Sequence, residues 1–312
     1  MVPRPIADPI GSREPGGMRQ SAEIDFPSGA GSYAVTRWSG PVVAESAPTV
    51  IAAHGITANG LAWAPVVEAL PEVDFIAPDL RGRGRSRDVG GPYSIGAHAD
   101  DLIRTLDHLG VERATLMGHS MGGWVAAVAA ARYPERFGGV VLVDGGLGFP
   151  LPEDTDLDQL LDGLLGPAMA KLRTVFASRE EFLKPWRTHP SFQGGGYTAE
   201  VEAYQLRDII GTEPELRSSC VLDAVRGDAA DQLQNPEVVG SIHRLPIPAA
   251  FLYAERGLLN EPVGLYSPEV VAAAKLADAG VDVRFVPGTN HYSILLGDRG
   301  IAAVAEAVRA LL

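Results

Sequence analysis

Six short and almost uninterrupted apolar runs recur along the chain, each stopping at turn-forming residues. They are "VIAAHG" (50–55), "FIAPDL" (75–80), "ATLMGHS" (114–120), "VVLVDGG" (140–146), "AAFLYAE" (249–255) and "VDVRFVPG" (281–288). Runs of this length without polar alternation suit strands buried on both faces. Between them, "GLAWAPVVEAL" (60–70), "IGAHADDLIRTLDHLG" (95–110) and "MGGWVAAVAAARYPERF" (121–137) place apolar residues every three or four positions, as helices do, and Pro134 marks the end of the last. A further amphipathic helix, "GIAAVAEAVRALL" (300–312), closes the chain. Strand–helix alternation of this kind predicts an α/β fold with a doubly wound, mostly parallel sheet. The earlier stretches "AEIDF" (22–26) and "SYAVTRWSG" (32–40) fit an antiparallel hairpin on its edge.

The rhythm breaks after Gly146. From there to about Ile247 no clear buried strand can be read, and helical pieces such as "LDQLLDGLLGPAMAKLRTVF" and "AYQLRDIIG" take over. The sequence thus divides into a core at 21–146 and 247–312 and a helical insertion at 147–246. The first twenty residues are rich in Pro, Gly and Arg without a continuous apolar stretch, so 1–20 reads as a disordered tail and not as a secretory signal. A net charge of −13 argues against a nucleic-acid footprint and against anchoring to an anionic membrane. No run is long enough to span a bilayer, and the single cysteine, Cys220, allows no internal disulfide. A cytoplasmic setting is expected.

The motif that carries chemistry is "GHSMGG" (118–123), which follows an apolar strand and opens a helix. That is the strand–elbow–helix setting of a G-x-S-x-G nucleophile. Gly118 and Gly122 let backbone segments pass closely, Ser120 is held with its hydroxyl exposed, and the helix presents its N-terminal amides to a reacting oxygen. The Met121 N–H is the first expected oxyanion donor. "HGITANG" (54–60), at another strand end, supplies a second from Ile56. His54, before that turn, reads as structural.

Together "HG" after one strand, "DLRGRGRS" (79–86) after the next and "GHSMGG" after a third resemble the α/β-hydrolase superfamily, in its serine-nucleophile, capped, esterase-like branch. The resemblance runs from about residue 22 to 312, interrupted where this family carries its cap or lid. It implies that Asp79 and Arg81 hold a structural turn, that "RGRGRS" is no phosphate cradle, and that the chain order is Ser, acid, His. The general base that a serine nucleophile requires is then His291, in "VPGTNHYSILLG" (286–297).

The acid departs from the family pattern. The resemblance places it after the strand "FLYAE", where Gly257 stands. Asp144, at the end of "VVLVDGG", is the first substitute, since it lies one strand earlier beside the nucleophile strand. Glu255 is the runner-up, and Glu261 or Asp228 could enter from a loop. A Ser–His pair without an acid is the fourth alternative. The implied reaction is hydrolysis of a carboxylic ester, lactone or thioester of a small, hydrophobic molecule through an acyl-serine. Trp124 and Trp186 are the expected substrate contacts, alongside Phe182, Phe192, Tyr197, Met169 and Tyr204 of the insertion. The same Ser–His pair serves carbon–carbon hydrolysis or perhydrolysis, and a non-catalytic ligand-binding protein would explain the missing aspartate. No metal or nucleotide motif is visible, so no cofactor is expected.

Overall fold

The apolar runs pair into one eight-stranded sheet in a computed structural model, which describes residues 19, 21–29, 31–39, 47–148, 155–193 and 196–312. In chain order the first half contains β1 (Ser21–Ser28), β2 (Gly31–Trp38), β3 (Thr49–Ala53), α1 (Ala64–Glu68), β4 (Asp74–Pro78), α2 (Ile95–His108), β5 (Ala114–His119), α3 (Met121–Arg132) and β6 (Phe137–Val143). The second half of the sheet is β9 (Ala249–Arg256) and β10 (Val281–Asn290), with α9 (Pro268–Ala273) between them and α10 (Ser293–Leu296) and α11 (Asp298–Arg309) after them. The strand order is β1-β2-β4-β3-β5-β6-β9-β10. β1 and β2 are the antiparallel edge hairpin and every pair from β4 onward is parallel, as the sequence predicts.

Side-chain alternation along β3 explains the two layers. Ile51 and Ala53 join one apolar core with α2 and α3, whereas Val50 and Ala52 join a second with α1 and α11. The inner strands are therefore covered on both faces, which is why their sequences show no polar alternation, whereas the edge strand β10, read from sequence as buried on both faces, is exposed or half-buried at most positions from Asp282 to Gly288 because, among the described residues, no strand or helix covers its outer side. α3 is buried at every residue from Met121 to Ala130. It is packed all round, and its small residues let it sit deep between β5 and β6.

Two boundaries differ from the sequence reading. The segment after Pro134 is a single 3₁₀ turn, Pro134–Arg136, and Phe137 already opens β6. Residues Gly60–Trp63 are also 3₁₀, so the helix predicted over 60–70 is short. The tail at 1–20 lies outside the described residues except for Arg19. That residue is held: its guanidinium donates to the carbonyls of Trp38, Val67, Leu70 and Val73.

Between β6 and β9 the described chain forms α4 (Leu157–Arg173), α5 (Arg179–Arg187), α6 (Ala199–Leu206), α7 (Leu222–Gln234) and α8 (Pro236–Val239). It also forms a two-residue ribbon, β7 (Ile209–Ile210) with β8 (Arg217–Ser218). The ribbon takes the end of the "AYQLRDIIG" stretch, which reads as helix because Ile is apolar in either period.

The parallel register sets the ends of β5, β6, β9 and β10 side by side. His119 is opposite Val143, Val143 opposite Leu252, and Ala254 opposite Val286. Everything that follows β5, β6 and β10 in sequence therefore meets at the carboxyl edge, where α/β sheets place their chemistry.

The elbow after β5 is the tightest part of this edge. A Cβ on Gly118 would lie 1.9 Å from the Gly122 carbonyl oxygen, a backbone atom that cannot step aside. Gly118→Ala is therefore expected to destabilise the fold by about 3 kcal/mol or more, the upper range of overpacking. Gly163→Ala, on an exposed, open face of α4, is expected to stabilise by about 0.5–1 kcal/mol. Urea midpoints of the two variants check the opposite signs.

Candidate active site

β5 ends at His119, and the next residue, Ser120, has φ 53° and ψ −125°. A serine tolerates that backbone only where its surroundings impose it. Here its N–H donates to Val143 O at 3.0 Å and its carbonyl accepts from Gly123 at 2.8 Å. Ser120 precedes the first turn of α3 but its hydroxyl does not cap the helix. The hydroxyl is left to the cavity that Ser120 lines. The Met121 and Gly122 amides, ahead of the Gly123 bond in the first turn of α3, have no intrahelical acceptors.

One strand over, β6 delivers Asp144, also with positive φ (45°) and fully buried. Its N–H continues the sheet to Leu252 O (2.7 Å), and its two carboxylate oxygens point to different elements. Oδ1 accepts from the Ala254 N–H at 3.0 Å, and Oδ2 lies 2.6 Å from His291 Nδ1. A carboxylate oxygen accepts, so Nδ1 carries the proton, and in the neutral imidazole Nε2 is left as the lone pair. Among the described residues no hydrogen bond joins Ser120 Oγ to His291. Both residues line the same cavity.

The other candidate carboxylates are taken elsewhere. Glu255 Oε2 accepts from the Gly288 N–H at 2.6 Å on the exposed side of β9, because strand alternation turns its side chain away from the edge loop. Glu261 accepts from the Leu259 N–H (2.8 Å), and its carboxylate fills the space in which a Gly257 side chain would lie. Asp228, on α7, is buried against Arg83 Nη1 at 2.5 Å and His98 Nε2 at 2.9 Å.

Two histidines of the edge are neutral struts. His54 Nε2 accepts from the Leu80 N–H (2.9 Å) and Nδ1 donates to Gly55 O (2.8 Å), and burial lowers its pKa to about 4. His119 has a pKa lowered to about 3, first by burial and then by neighbouring His291. Its Nε2 donates to the His291 carbonyl at 2.9 Å, with the rings 4.7 Å apart. It buttresses His291 through a contact 172 residues apart in the chain, for which the sequence has no local signal.

The second unanticipated participant is Arg83, from the "RGRGRS" turn. It is fully buried: Nε donates to Ile56 O (2.9 Å), Nη1 to Arg81 O (2.9 Å) and to Asp228, and Nη2 lies 3.9 Å from Met121 Sδ. One guanidinium thus touches both residues expected to supply oxyanion donors. Asp79 and Arg81 behave as the turn predicts. Asp79 accepts from the Gly60 and Arg85 N–H groups, and Arg81 forks onto Asp101 at 2.7 and 2.9 Å. Cys220 is buried with its thiol pKa pushed up to about 11 by burial, which keeps it protonated.

Ser120 and His291 lie on the wall between two cavities. The larger, about 540 Å³, runs beneath the insertion past Phe182, Trp186, His189, Tyr204 and Lys171. The smaller, about 70 Å³, lies against Trp124, Leu161, Gln232 and Leu265. Trp186 and Trp124 thus line one cavity each, whereas Phe192, Tyr197 and Met169 line neither and pack in the cores. Among the described residues no cluster of His, Cys, Asp or Glu could hold a metal ion, and no helix is long and apolar enough to cross a membrane.

Residues 48–178 match the family model of the alpha/beta hydrolase fold. The lipase LipV of Mycobacterium tuberculosis is 39% identical over 95 residues, 30% of this chain and 36% of that protein. The chain spans about a third of the length of such curated relatives. Among solved structures, E-2-(acetamidomethylene)succinate hydrolase superposes with a TM-score of 0.73 at 21% identity, covering 93% of this chain and all of that one. The thioesterase domain of the curacin biosynthetic pathway gives 0.71 at 20% identity, covering 94% of this chain and all of that one.

The short Asp144–His291 contact makes a spectroscopic prediction. The His291 Nδ1 proton is expected to resonate far downfield in the proton NMR spectrum, to vanish in Asp144→Asn and to persist in Glu255→Gln. A signal unmoved by Asp144→Asn would refute the pairing. The neutral histidines make a second. Their folded pKa values, about 4 for His54 and about 3 for His119, lie below the ordinary 6.5. The unfolded chain therefore binds protons that the fold refuses, and stability rises with pH in that window. Unfolding free energy is expected to fall as pH drops from 6.5 toward 4, measured by urea titration at stepped pH. A flat profile would contradict it.

Proposed function

The chain is an α/β-hydrolase-fold protein, and on that premise we propose that it hydrolyses a carboxylic ester of a small, hydrophobic molecule through an acyl-serine intermediate. The observation that carries the reading is the buried Asp144–His291 contact at 2.6 Å on the wall of a cavity that Ser120 also lines. Ser120 is the nucleophile in this reading. His291 Nε2 takes its proton as the hydroxyl oxygen attacks the carbonyl carbon, and Asp144 holds Nδ1–H and stabilises the imidazolium that forms. Charge developing on the carbonyl oxygen is met by the N–H groups of Ile56 and Met121. The His291 proton then passes to the leaving alcohol. The same imidazole next deprotonates a water, which attacks the acyl-serine and releases the acid.

Arg83 acts here as a positioning residue. By accepting a bond from the guanidinium, the Ile56 carbonyl fixes the turn whose preceding N–H faces the oxyanion. The segment 147–246 serves as the cap: it roofs the larger cavity with Phe182 and Trp186 and excludes water from the acyl group. A non-catalytic, ligand-binding role drew its support from the missing carboxylate at Gly257, and Asp144 against His291 removes that ground.

Short-chain aryl esters test the reading. Wild type is expected to turn them over and to be labelled at Ser120 by a fluorophosphonate, and Ser120→Ala to do neither. Asp144→Asn should cost about 10⁴ in kcat, as the equivalent change does in a well-studied serine protease, while Glu255→Gln stays near wild type. Arg83→Lys keeps a charge opposite Asp228 but loses the fork to Ile56. It should lower kcat by about tenfold with KM unchanged, below the 10²–10³ of deleting an oxyanion donor outright. Activity equal to the Ser120→Ala control would refute the enzyme.

A further inference from the structure

The larger cavity has mostly apolar walls, yet one buried cation stands in them. Lys171, near the C-terminal end of α4, is 8% exposed and lines the same cavity as Ser120 and His291. Its Nζ lies 2.7 Å from Asp208 Oδ2, 5.3 Å from the Trp186 ring centroid and 5.8 Å from that of Phe182. A buried ammonium is costly unless its donors are used. It has three N–H donors and no acceptor. Among the described residues Asp208 is its one ionic partner.

Asp208 is held without it. Its carboxylate already accepts from the Ser218 hydroxyl (2.8 Å), the Ser219 N–H (3.1 Å) and the Ser219 hydroxyl (2.6 Å). A lysine is therefore not needed to satisfy that aspartate. The pair instead fixes the ammonium at the cavity wall, with two aromatic faces limiting where it can swing. Its remaining N–H donors are available to whatever fills the cavity.

We propose that Lys171 is the polar anchor of the substrate site, binding an oxygen acceptor carried on the substrate away from the scissile carbonyl. The substrate is then an oxo- or carboxy-substituted ester: its reacting end lies at Ser120, its apolar middle against Phe182 and Trp186, and its distal oxygen on Lys171 Nζ. This deepens the ester-hydrolase reading and rests on it.

The test uses p-nitrophenyl esters from butyryl to decanoyl in three matched forms: plain alkyl, ketone-bearing and terminally carboxylated. At some chain length wild type should prefer one oxygen-bearing form over its alkyl match by about tenfold or more in kcat/KM, the worth of one hydrogen bond to a charged group. Which form wins identifies the oxygen as neutral or anionic. Lys171→Met should erase the preference, mainly through KM, and leave the alkyl ester within a few fold. Lys171→Met/Asp208→Asn, which removes both charges, reads the same outcome if the single variant does not fold. No preference in wild type at any length, or a preference that survives both variants, overturns the anchor. If no ester is turned over at all, the hydrolase reading fails separately. Calorimetric binding of the matched carboxamides to the wild-type protein then decides the anchor: tighter binding of an oxygen-bearing amide supports it and equal binding refutes it.

Discussion

The geometry of this edge depends on one buried carboxylate that serves two elements. Asp144 leaves β6 with a left-handed backbone and bonds β9 through Oδ1 and His291 through Oδ2. An extended residue would instead send its side chain out from one face of the sheet. The left-handed turn costs something of order 1–3 kcal/mol, which the sheet bond from its N–H to Leu252 and the two carboxylate bonds offset. Strain at Ser120 and at Asp144 thus occurs at neighbouring strand ends, where two chain reversals must clear each other. Gly145 follows Asp144, and a Cβ there would lie 2.0 Å from the Ser120 carbonyl oxygen, so no side chain would fit.

How much of this was legible in the sequence follows from how local each signal is. The six parallel strands were readable as short apolar runs, most of them because burial on both faces leaves no polar alternation, and the edge hairpin from the two stretches before them. The elbow was readable because a strained turn between a strand and a helix requires small residues at fixed offsets. Asp144 could be named only as a substitute for an acid absent at Gly257. Its pairing with His291 joins residues 147 apart, and a strand-end aspartate has the same local pattern whether it caps a turn or orients a base. Glu255 competed with it for a related reason: sequence gives a strand's alternation but not the bulge between Val286 and Asn290, which decides where the loop carrying His291 sits.

Arg83 was missed for a different cause. The "RGRGRS" turn holds three arginines, each beside a glycine and with the same local look, and Arg81, Arg83 and Arg85 go to three different fates: a buried fork on Asp101, a buried brace on Ile56 and Asp228, and an exposed pair with Glu23 and Asp25. The partners that separate them lie 20, 145 and 62 residues away. Charge patterning along the chain carries no information about contacts at that range. Only the negative character of the insertion's α7, with Asp228 on its inner face, could have hinted at a buried cation opposite.

That long-range contact has a consequence for how the insertion relates to the chemistry. Arg83 binds the turn of Ile56 with one nitrogen and α7 with another, so the seat of the insertion and the shape of the Ile56 turn share a single rigid guanidinium fork. His98 holds the same Asp228 oxygen from α2, so the joint is fastened to the core from two sides. A hinge at this point would have to break a fully buried ion pair, which is strongly unfavourable when one partner is left uncompensated. The insertion is thereby anchored at α7 and again after α6, where Arg207 pairs with the buried Asp79 at 3.1 Å, while Trp186 of α5 packs against Tyr292 beside His291.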